Sequence, residues 1–347
     1  MIIFRADGNA QIGSGHIMRC LSIADAFKRK NKDCLFVLAD NTFQPLIESR
    51  GYAVYILESD YCDMDGEFEN LKEVILRYCP EMIIVDSYFV TANYLQKIKK
   101  IAYLVYIDDL ASFAYPADVL VDYNAYGPDI DYKKLYFNEN VVCPRLILGA
   151  GYAPLRKMFR NISKREQRET VKDILISTGG ADSAHLALKI AEYVANDNTY
   201  IWHFLIGTMN PDYGIIKKIA EKNKTIHIHY NVKDMKYLIC SCDLVVSAAG
   251  STMYEIAACG VPMITYVLAD NQIPGAEAFA KLGLAVSCGD LRTKDKAEKI
   301  LMNAVDTLAK DFALRKQIGE KMQHMIDGFG ADRLVGELLK TCKSRQL

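Results

Sequence analysis

The sequence predicts an α/β protein with two doubly wound parallel sheets. The chain has 347 residues, which corresponds to about two domains. Short apolar runs rich in β-branched residues alternate with amphipathic helical stretches, a pattern typical of parallel strands covered by helices on both faces. The alternation stops at a charged stretch that begins near Arg160 and then starts again. We therefore expect two α/β domains of similar size.

The first half of the chain supplies apolar runs of strand length with helical stretches between them. The predicted strands cover residues 2–5, 34–38, 53–57, 82–85, 104–107 and 119–121. The predicted helices cover residues 16–30, 43–50, 68–78 and 91–100. Because the apolar runs are continuous rather than alternating, they indicate strands that are buried on both faces of a sheet.

The second half repeats this pattern. The predicted strands cover residues 173–177, 200–206, 225–229, 244–247, 263–267 and 285–287. The predicted helices begin near Asp182, Asp212, Val232, Thr252, Pro274 and Thr293. These elements predict an N-terminal domain at residues 1–155, a linker at 156–170, a C-terminal domain at 171–325 and a helical tail at 326–347. Ligands of doubly wound sheets bind beyond the carboxyl ends of the strands, so chemistry is expected in the loops that follow strands.

Composition and charge exclude several classes of function. Lys plus Arg number 42 and Asp plus Glu number 43, so the formal net charge is -1 and a nucleic-acid partner is not indicated. No apolar run approaches the ~20 residues of a membrane span, and the N-terminus lacks the regions of a secretory signal. The ten cysteines show no C-x₂-C zinc spacing. We expect a cytoplasmic monomer with reduced thiols, no metal and no membrane insertion.

The loop after the first strand runs from Asp7 to the start of a helix near His16. Gly13 and Gly15 allow tight turns and close approach of a ligand, and the free N–H groups of the helix favour an anion. Asp7 and Gly15 are therefore candidate substrate contacts. The positive end of the helix disfavours the charged form of His16, so a neutral imidazole here could act as a general base. The alternative is a histidine that only packs or caps.

The same loop partly matches a dinucleotide-binding fingerprint. Gly13 and Gly15 fit its first half, and Asp40 ends the second strand where a ribose-binding acid is expected. However, Met18 occupies the position of the third glycine, and the loop before Gly13 is longer than the usual tight turn. A nicotinamide or flavin site is thus an alternative that these residues fit less well.

Three loops of the second half combine glycine, hydroxyl or amide groups with the start of a helix. Such loops suit a diphosphate held without a metal, and a carboxylate one turn into a helix can accept hydrogen bonds from a ribose. The candidates are Gly179, Gly180 and Asp182 in the first loop, Gly250, Ser251, Thr252 and Glu255 in the second, and Asn271 and Gln272 in the third. Taken singly, Asp182 or Ser183 and Ser251 or Thr252 could be N-caps, and the third loop an ordinary turn. Together the loops predict a nucleotide held by the second domain.

Other polar residues follow strands of the first domain. Tyr88 could position a sugar or be an aromatic residue at the edge of a loop. Asp108 and Asp109 point to opposite faces because they are adjacent on a strand, so at most one of them is functional. The segment that begins at Tyr123 is a further candidate.

Several strings resemble the UDP-sugar hydrolases of the pseudaminic acid pathway, whose activity is UDP-2,4-diacetamido-2,4,6-trideoxy-β-L-altropyranose hydrolase. The strings are Phe4-Arg-Ala-Asp-Gly8, Gln11-Ile-Gly-Ser-Gly-His16-Ile-Met-Arg19, Ser177-Thr-Gly-Gly-Ala-Asp182, Ser247-Ala-Ala-Gly-Ser-Thr-Met-Tyr-Glu255 and Ala269-Asp-Asn271-Gln272. The resemblance covers most of residues 1–290. The glycine loops are shared with the transferase that makes lipid II, whereas the first-half string ending at Arg19 and the Asn-Gln pair are more discriminating.

The resemblance implies a GT-B fold, in which two Rossmann-like domains face each other across an interdomain cleft. It implies that His16 activates a water molecule that displaces UDP from the anomeric carbon with inversion, and that Tyr88 is the aromatic residue of the cleft. It places nucleotide contacts at Gly180, Glu255 and Asn271. A small-molecule UDP-sugar would be the ligand, with no metal and no cofactor. The free 2,4-diacetamido-2,4,6-trideoxy-L-altrose would then enter nonulosonic acid biosynthesis for surface glycans.

Two other functions remain open on the same residues. A GT-B glycosyltransferase of surface or spore-coat polysaccharide synthesis would use a nucleotide sugar but need an acceptor. A non-catalytic protein that binds nucleotide sugars would need neither an acceptor nor a base, and His16 in the loop argues against it.

Overall fold

The computed structural model describes residues 1–9, 11–180, 182 and 184–345. The chain forms two compact units, of which unit 1 comprises Met1–Lys157 with Phe329–Leu347 and unit 2 comprises Met158–Gly328. Each unit is built on one parallel sheet, with seven strands in unit 1 and six in unit 2. The predicted α/β class with two parallel sheets is therefore confirmed.

In unit 1 every neighbouring pair of strands is parallel. The strands are β1 (Ile2–Ala6), β2 (Cys34–Leu38), β3 (Ala53–Ile56), β4 (Met82–Asp86), β5 (Leu104–Ile107), β6 (Val119–Asp122) and β7 (Arg145–Leu148). Their order across the sheet is β3-β2-β1-β4-β5-β6-β7. The order reverses between β1 and β4, and this topological switch point is where loops diverge and ligands bind in such sheets.

The helices of unit 1 cover the central strands. In chain order they are α1 (Gly15–Lys28), α2 (Gln44–Ser49), α3 (Phe68–Tyr78), α4 (Ala92–Ile101) and α5 (Tyr132–Asn138). Phe4 of β1 stacks on Phe36 of β2 with ring centroids 5.0 Å apart, and it meets Phe27 of α1 edge-on at 6.2 Å. This buried aromatic cluster holds α1 against β1 and β2, so the start of α1 lies beside the switch point.

The predicted elements of the first half agree with those observed to within two residues, but the sequence analysis does not predict β7 or α5. β7 is a four-residue edge strand that begins with Arg145, its apolar run has three residues, and Ile147 alone is buried. α5 has seven residues, too few for a clear helical period. It begins after Asp131, whose side chain accepts the Lys134 N–H at 3.1 Å.

Unit 2 has a six-stranded sheet that is also parallel throughout. The strands are β8 (Asp173–Ser177), β9 (Ile201–Ile206), β10 (Ile226–Tyr230), β11 (Leu244–Ala248), β12 (Met263–Val267) and β13 (Val286–Asp290). Their order is β10-β9-β8-β11-β12-β13, so the switch point of unit 2 lies between β8 and β11. The loops after these two strands are two of the three predicted nucleotide loops.

The helices of unit 2 follow its strands. They are α6 (Leu186–Val194), α7 (Tyr213–Glu221), α8 (Met235–Ser241), α9 (Thr252–Cys259), α10 (Ile273–Lys281), α11 (Ala297–Lys310) and α12 (Phe312–Met325). Two begin four residues later than predicted, α6 at Leu186 and α11 at Ala297. For α6 the reason is local, because Asp182 lies outside the helix and accepts hydrogen bonds from its first turn.

Unit 2 begins at Met158 and ends at Gly328, whereas the predicted C-terminal domain covers residues 171–325. Most of the segment 156–170, predicted as a linker, falls in unit 2. There Arg165 Nη1 donates to the Cys240 carbonyl at 2.9 Å, and Gln167 Nε2 donates to the Gly260 carbonyl at 2.8 Å. The segment forms no helix or strand beyond a short 3-10 turn. Two of its side chains nevertheless bind the backbone of unit 2.

The C-terminal helix α13 (Gly330–Arg345) belongs to unit 1. Arg29 of α1 donates to Asp332 at 2.8 Å, and Arg145 of β7 donates to Glu337 at 2.5 Å. A Cβ on Gly330 would lie 2.2 Å from the Ala153 carbonyl oxygen, so glycine permits the close approach at which this helix begins. No helix in the described part of the chain combines the length and apolar character that crossing a bilayer requires.

Candidate active site

The switch point of unit 1 is flanked by the loop after β1 and the loop after β4. The first loop is held by hydrogen bonds within itself, because the side-chain oxygen Oδ1 of Asn9 accepts the N–H groups of Gln11 and Ile12 at 2.9 and 3.0 Å. Gly13 has φ +74°, a conformation that favours glycine, and its N–H donates to the Asn9 carbonyl. The loop thus turns back on itself and delivers His16 to the first turn of α1.

His16 and Tyr88 come from opposite sides of this switch point and touch. Their ring centroids are 4.6 Å apart with an interplanar angle of 82°, an edge-to-face contact. His16 is 6% exposed, whereas Tyr88 is 39% exposed. The structure therefore brings the two predicted catalytic residues together, in a contact that the sequence could not specify because they lie in different loops.

Burial sets the protonation of His16. Loss of hydration lowers the pKa of His16 below its usual range, the negative charges of Asp86 and Asp109 oppose this, and the positive charge of Arg19 reinforces it. The predicted direction is confirmed, but burial rather than the helix terminus is the largest cause. A neutral imidazole at neutral pH is the form that can accept a proton.

Below the two rings lies a charged cluster centred on Arg19. Its Nε donates to Asp86 Oδ2 at 2.5 Å, and its Nη1 donates to Asp109 Oδ2 at 2.6 Å and to the Tyr123 hydroxyl at 2.9 Å. The Tyr88 hydroxyl also donates to Asp109 Oδ2, at 3.0 Å. Despite the opposing effect of burial, Arg19 lowers the pKa of Asp109, which is therefore ionised.

Asp108 and Asp109 do face different surroundings, as predicted. Asp108 is fully buried and accepts the Tyr132 hydroxyl at 2.7 Å and the Leu110 N–H at 2.9 Å. Of these two carboxylates, Asp109 is the one that joins the cluster around Arg19. The string that ends at Arg19 and the segment at Tyr123 were signals for this cluster, but they did not show that their side chains meet.

Asp7, predicted as a substrate contact, is buried and has partners within unit 1. Its Oδ2 accepts Arg5 Nη1 at 2.6 Å, and its Oδ1 accepts the Ala39 N–H at 2.8 Å. Arg5 in turn donates to both oxygens of the buried Glu67. Asp7 therefore fixes the start of the loop to the end of β2, and its contact with substrate stays a prediction. Gly15, also predicted as a contact, opens α1, and a Cβ there would meet nothing within 4 Å.

In unit 2 the loop after β8 carries Gly179, Gly180 and Asp182. Gly179 has φ +91°, and a Cβ on it would meet no atom of the described residues within 4 Å, so among these residues its surroundings are open. Asp182 is buried and accepts the N–H groups of Leu186 at 3.1 Å and Ala187 at 2.8 Å. It therefore serves as a cap of α6, one of the two interpretations of this residue, while Ser183 lies outside the described residues.

The backbone of the loop after β8 lies very close to the backbone of the loop after β9. A Cβ on Gly207, which follows β9, would lie 2.3 Å from the Gly180 carbonyl oxygen. The glycine therefore allows the loops after β8 and β9 to pack directly together, backbone on backbone. The sequence analysis did not single out Gly207, because an isolated glycine after a strand carries no specific signal.

The loop after β11 carries Gly250, Ser251, Thr252 and Glu255. A Cβ on Gly250 would meet nothing within 4 Å, so the backbone here is also open to a ligand. Ser251 is exposed and its hydroxyl makes no capping hydrogen bond to the described first turn of α9. Thr252 begins the helix, and the half-buried Glu255 lies one turn further on. The capping interpretation of Ser251 thus has no support in this geometry.

The loop after β12 forms a short 3-10 turn over Asp270–Gln272. Asn271 is exposed, and Gln272 Oε1 accepts the Leu268 N–H at 2.8 Å. Asp270 accepts Arg292 Nη1 at 2.7 Å. Gln272 therefore closes the turn, while Asn271 carries an exposed amide beside it.

His185 is a further polar residue of this edge, next to the loop of Gly179 and Gly180. It has φ +54° and directly precedes α6, and its Nδ1 lies 2.6 Å from Asp212 Oδ2 in the loop after β9. About half of the His185 side chain is exposed, whereas Asp212 is buried. Among the described residues, no three His, Cys, Asp or Glu side chains are arranged to hold a metal ion.

Comparison with other proteins gives distant relatives along most of the chain. No known family profile matches it. It is 28% identical to the UDP-2,4-diacetamido-2,4,6-trideoxy-beta-L-altropyranose hydrolase of Campylobacter jejuni, over 82% of this chain and 98% of that protein. It is 23% identical to the spore coat polysaccharide biosynthesis protein SpsG of Bacillus subtilis, over 96% of both chains. It is 26% identical to an uncharacterized protein of Methanocaldococcus jannaschii, over 77% of this chain but only 55% of that longer protein.

Solved structures establish the fold. MurG of Acinetobacter baumannii superimposes with a TM-score of 0.72 at 14% identity, covering 98% of this chain and 99% of that one. The calicheamicin glycosyltransferase CalG4 gives a TM-score of 0.65 at 15% identity, with 98% of each chain covered. Such low identities show the fold alone. The chain has the GT-B fold, and its resemblance to the UDP-2,4-diacetamido-2,4,6-trideoxy-β-L-altropyranose hydrolases is confirmed.

Proposed function

We propose that this protein hydrolyses UDP-2,4-diacetamido-2,4,6-trideoxy-β-L-altropyranose to UDP and free 2,4-diacetamido-2,4,6-trideoxy-L-altrose. The observation that carries the proposal is His16, a buried imidazole with a lowered pKa that touches Tyr88 at the switch point of unit 1. A neutral base of this kind is what water activation needs. The Campylobacter jejuni relative carries that activity in its name.

In the proposed reaction, His16 accepts a proton from a water molecule as the water oxygen attacks the anomeric carbon. A new C–O bond forms on one face, the bond from the anomeric carbon to the phosphate oxygen breaks on the other, and UDP leaves with the electron pair. The configuration at the anomeric carbon is therefore inverted. Tyr88 limits the orientations of the imidazole through its edge-to-face contact and presents a partly exposed ring to the sugar.

Unit 2 supplies the proposed nucleotide site. The loops after β8 and β11 flank its switch point, and both Gly179 and Gly250 leave open space above the backbone. Backbone N–H groups at the start of α9 favour the diphosphate, whose negative charge grows as UDP departs, whereas Asp182 already accepts the first N–H groups of α6. Glu255 is proposed to accept hydrogen bonds from the ribose, and Asn271 to donate from its exposed amide. We propose that these groups stabilise the leaving diphosphate without a metal.

The test is phosphorus NMR of the named UDP-sugar with the protein in the presence of EDTA, with proton NMR of the first sugar anomer released. We expect UDP to accumulate at the same rate with and without EDTA, and the first anomer to be inverted. UDP-N-acetylglucosamine is the matched substrate control and should turn over far more slowly. Absence of UDP release, or complete loss of turnover in EDTA, would contradict the proposal.

A second candidate is a glycosyltransferase of surface or spore-coat polysaccharide synthesis. It is favoured by the Bacillus subtilis relative, which is named for spore coat polysaccharide biosynthesis and matches 96% of the chain. A transferase would release UDP only when a sugar acceptor is added, because water would not replace the acceptor hydroxyl. The same NMR assay, repeated with and without a crude polysaccharide acceptor, separates the two functions.

A further inference from the structure

Arg19 connects the catalytic loop to the ends of three strands. It lies three residues after His16 on α1, so both side chains leave the same face of the helix. Its guanidinium binds Asp86 at the end of β4, Asp109 after β5 and the Tyr123 hydroxyl after β6. The Arg19 side chain is 11% exposed. If this buried guanidinium were removed, its two carboxylate partners would lose their counter-charge, and water would not replace it.

Arg19 supplies the positive charge among the charged groups that face the imidazole of His16. The charged groups that face the imidazole are Arg19 on its own helix, Asp7 after β1, Asp86 on β4 and Asp109 after β5. The neighbouring titratable groups are Tyr88, Tyr123 and Cys20, and burial raises the pKa of each of them, so all three are neutral. With Arg19 removed, Asp86 and Asp109 would lose their opposing charge, while Asp7 would keep its pair with Arg5, and the two unpaired carboxylates would favour a proton on His16.

The same guanidinium also fixes the aromatic partner of His16. Asp109 Oδ2 accepts hydrogen bonds from both Arg19 Nη1 and the Tyr88 hydroxyl. A single carboxylate oxygen therefore links the guanidinium to the phenol whose ring edge contacts the imidazole. Asn124 donates to the other oxygen of Asp109 at 2.9 Å, so the carboxylate is held from both sides.

We propose that Arg19 is a positioning residue of this site, which holds Asp86 and Asp109 so that His16 stays a neutral base and Tyr88 stays against its ring. The inference rests on the proposed function, since it assigns Arg19 a part in the same reaction. It adds a residue whose effect is exerted through others, without contact with the sugar or with the reacting water.

The test measures the titration of His16 directly, by NMR of protein labelled at its histidine rings, with His16→Asn used to assign the signal. Arg19→Met should raise the pKa of His16 by about one pH unit or more, and Asp109→Asn should lower it. The acid limb of kcat/KM should move in the same two directions. A purely structural role would not shift the titration in opposite directions for the two variants.

Two further variants make the result decisive. Arg29→Met removes the same charge from the far end of α1, where Arg29 pairs with Asp332, and should leave the His16 titration unchanged. Arg19→Lys keeps the charge but loses the bidentate geometry, so it should shift the pKa less than Arg19→Met. If Arg19→Met fails to fold, the Asp109→Asn variant decides the question by itself. The inference is then overturned if the pKa of His16 does not fall in Asp109→Asn. If the titrations move as expected in a protein that releases no UDP, the proposed function fails and the electrostatic role of Arg19 stands.

Discussion

His185 Nδ1 lies 2.6 Å from Asp212 Oδ2 at the carboxyl edge of the unit 2 sheet. The buried carboxylate fixes one nitrogen of the ring and leaves the other on the exposed side. With Nδ1 held by the carboxylate, Nε2 could donate a hydrogen bond to a phosphate oxygen. This dyad therefore offers an imidazole donor beside the loop that carries Gly179 and Gly180.

We predict that His185→Asn weakens UDP binding by roughly tenfold while leaving uridine binding unchanged, because a hydrogen bond to a charged group contributes about 1.5–3 kcal/mol. Asparagine tolerates the left-handed backbone at this position but is too short to place a donor where the imidazole stands. Isothermal titration calorimetry with UDP and uridine measures both affinities. His324→Asn, an exposed histidine on α12, is the matched control. Equal losses for the two ligands would show that His185 does not contact phosphate.

His16→Asn should lower turnover by about 10²–10⁴-fold, because general base catalysis contributes an effect of that size. UDP affinity should stay within a few-fold of wild type, since the proposed nucleotide contacts lie in unit 2. Initial rates from phosphorus NMR and calorimetric titration with UDP separate the two effects. Unchanged turnover would remove His16 from the role of base, whereas lost UDP binding would point to misfolding.

The two parts of Tyr88 should contribute differently. Tyr88→Phe keeps the ring but removes the hydrogen bond to Asp109 that helps to hold it against His16, so we expect a partial loss of kcat. Tyr88→Ala removes the ring contact, which frees the imidazole and should lower kcat by about tenfold or more. Steady-state kinetics on both variants measure the difference. Equal loss in the two variants would mean that the hydroxyl, rather than the ring, carries the effect.

The sequence predicts the fold well because its central strands are apolar on both faces. β1, β2 and β4 are fully buried, and their continuous apolar runs have no other interpretation in a chain that alternates strands and helices. The edge strand β7 has an apolar run of three residues after Arg145, and the sequence pattern did not identify it. Strand order is also outside the reach of a local pattern, although it determines which loops flank each switch point.

The candidate site was predictable only as a set of loops. His16 and Tyr88 could be named because His16 starts a helix after a glycine loop, because Tyr88 follows a strand and because of the family resemblance, but their contact depends on β1 and β4 being neighbours. Asp7 shows what a local sequence pattern does not reveal about the partners of a side chain. A carboxylate after a strand is typical of a ligand contact, yet here Arg5 and the Ala39 N–H take both of its oxygens. Such partners are brought in by tertiary packing and leave no trace at the position itself.

A buried proton in unit 1 leads to the last prediction. The Tyr132 hydroxyl lies 2.7 Å from Asp108 Oδ2 and 3.1 Å from Asp122 Oδ2, but a phenol has one proton and cannot donate to both. Both contacts are ordinary two-centre hydrogen bonds when one of the two carboxyls is protonated and donates to the phenol oxygen. Burial raises the pKa of Asp122 to about 7, so Asp122 holds that proton below neutral pH.

The sign of the pH dependence follows from this raised pKa. The folded state binds a proton that the unfolded chain releases near its ordinary carboxyl pKa, so the stabilisation is complete in acid and is lost as the pH rises towards 7. Asp122→Asn is a permanent mimic of the neutral acid, and it should reduce the loss of unfolding free energy between pH 5 and pH 8 by about 2 kcal/mol. Urea titrations at several pH values measure this difference. Glu69→Gln, which changes an exposed carboxylate paired with Lys72 on α3, should follow the wild-type curve, and an Asp122→Asn curve parallel to wild type would show that Asp122 does not hold the proton.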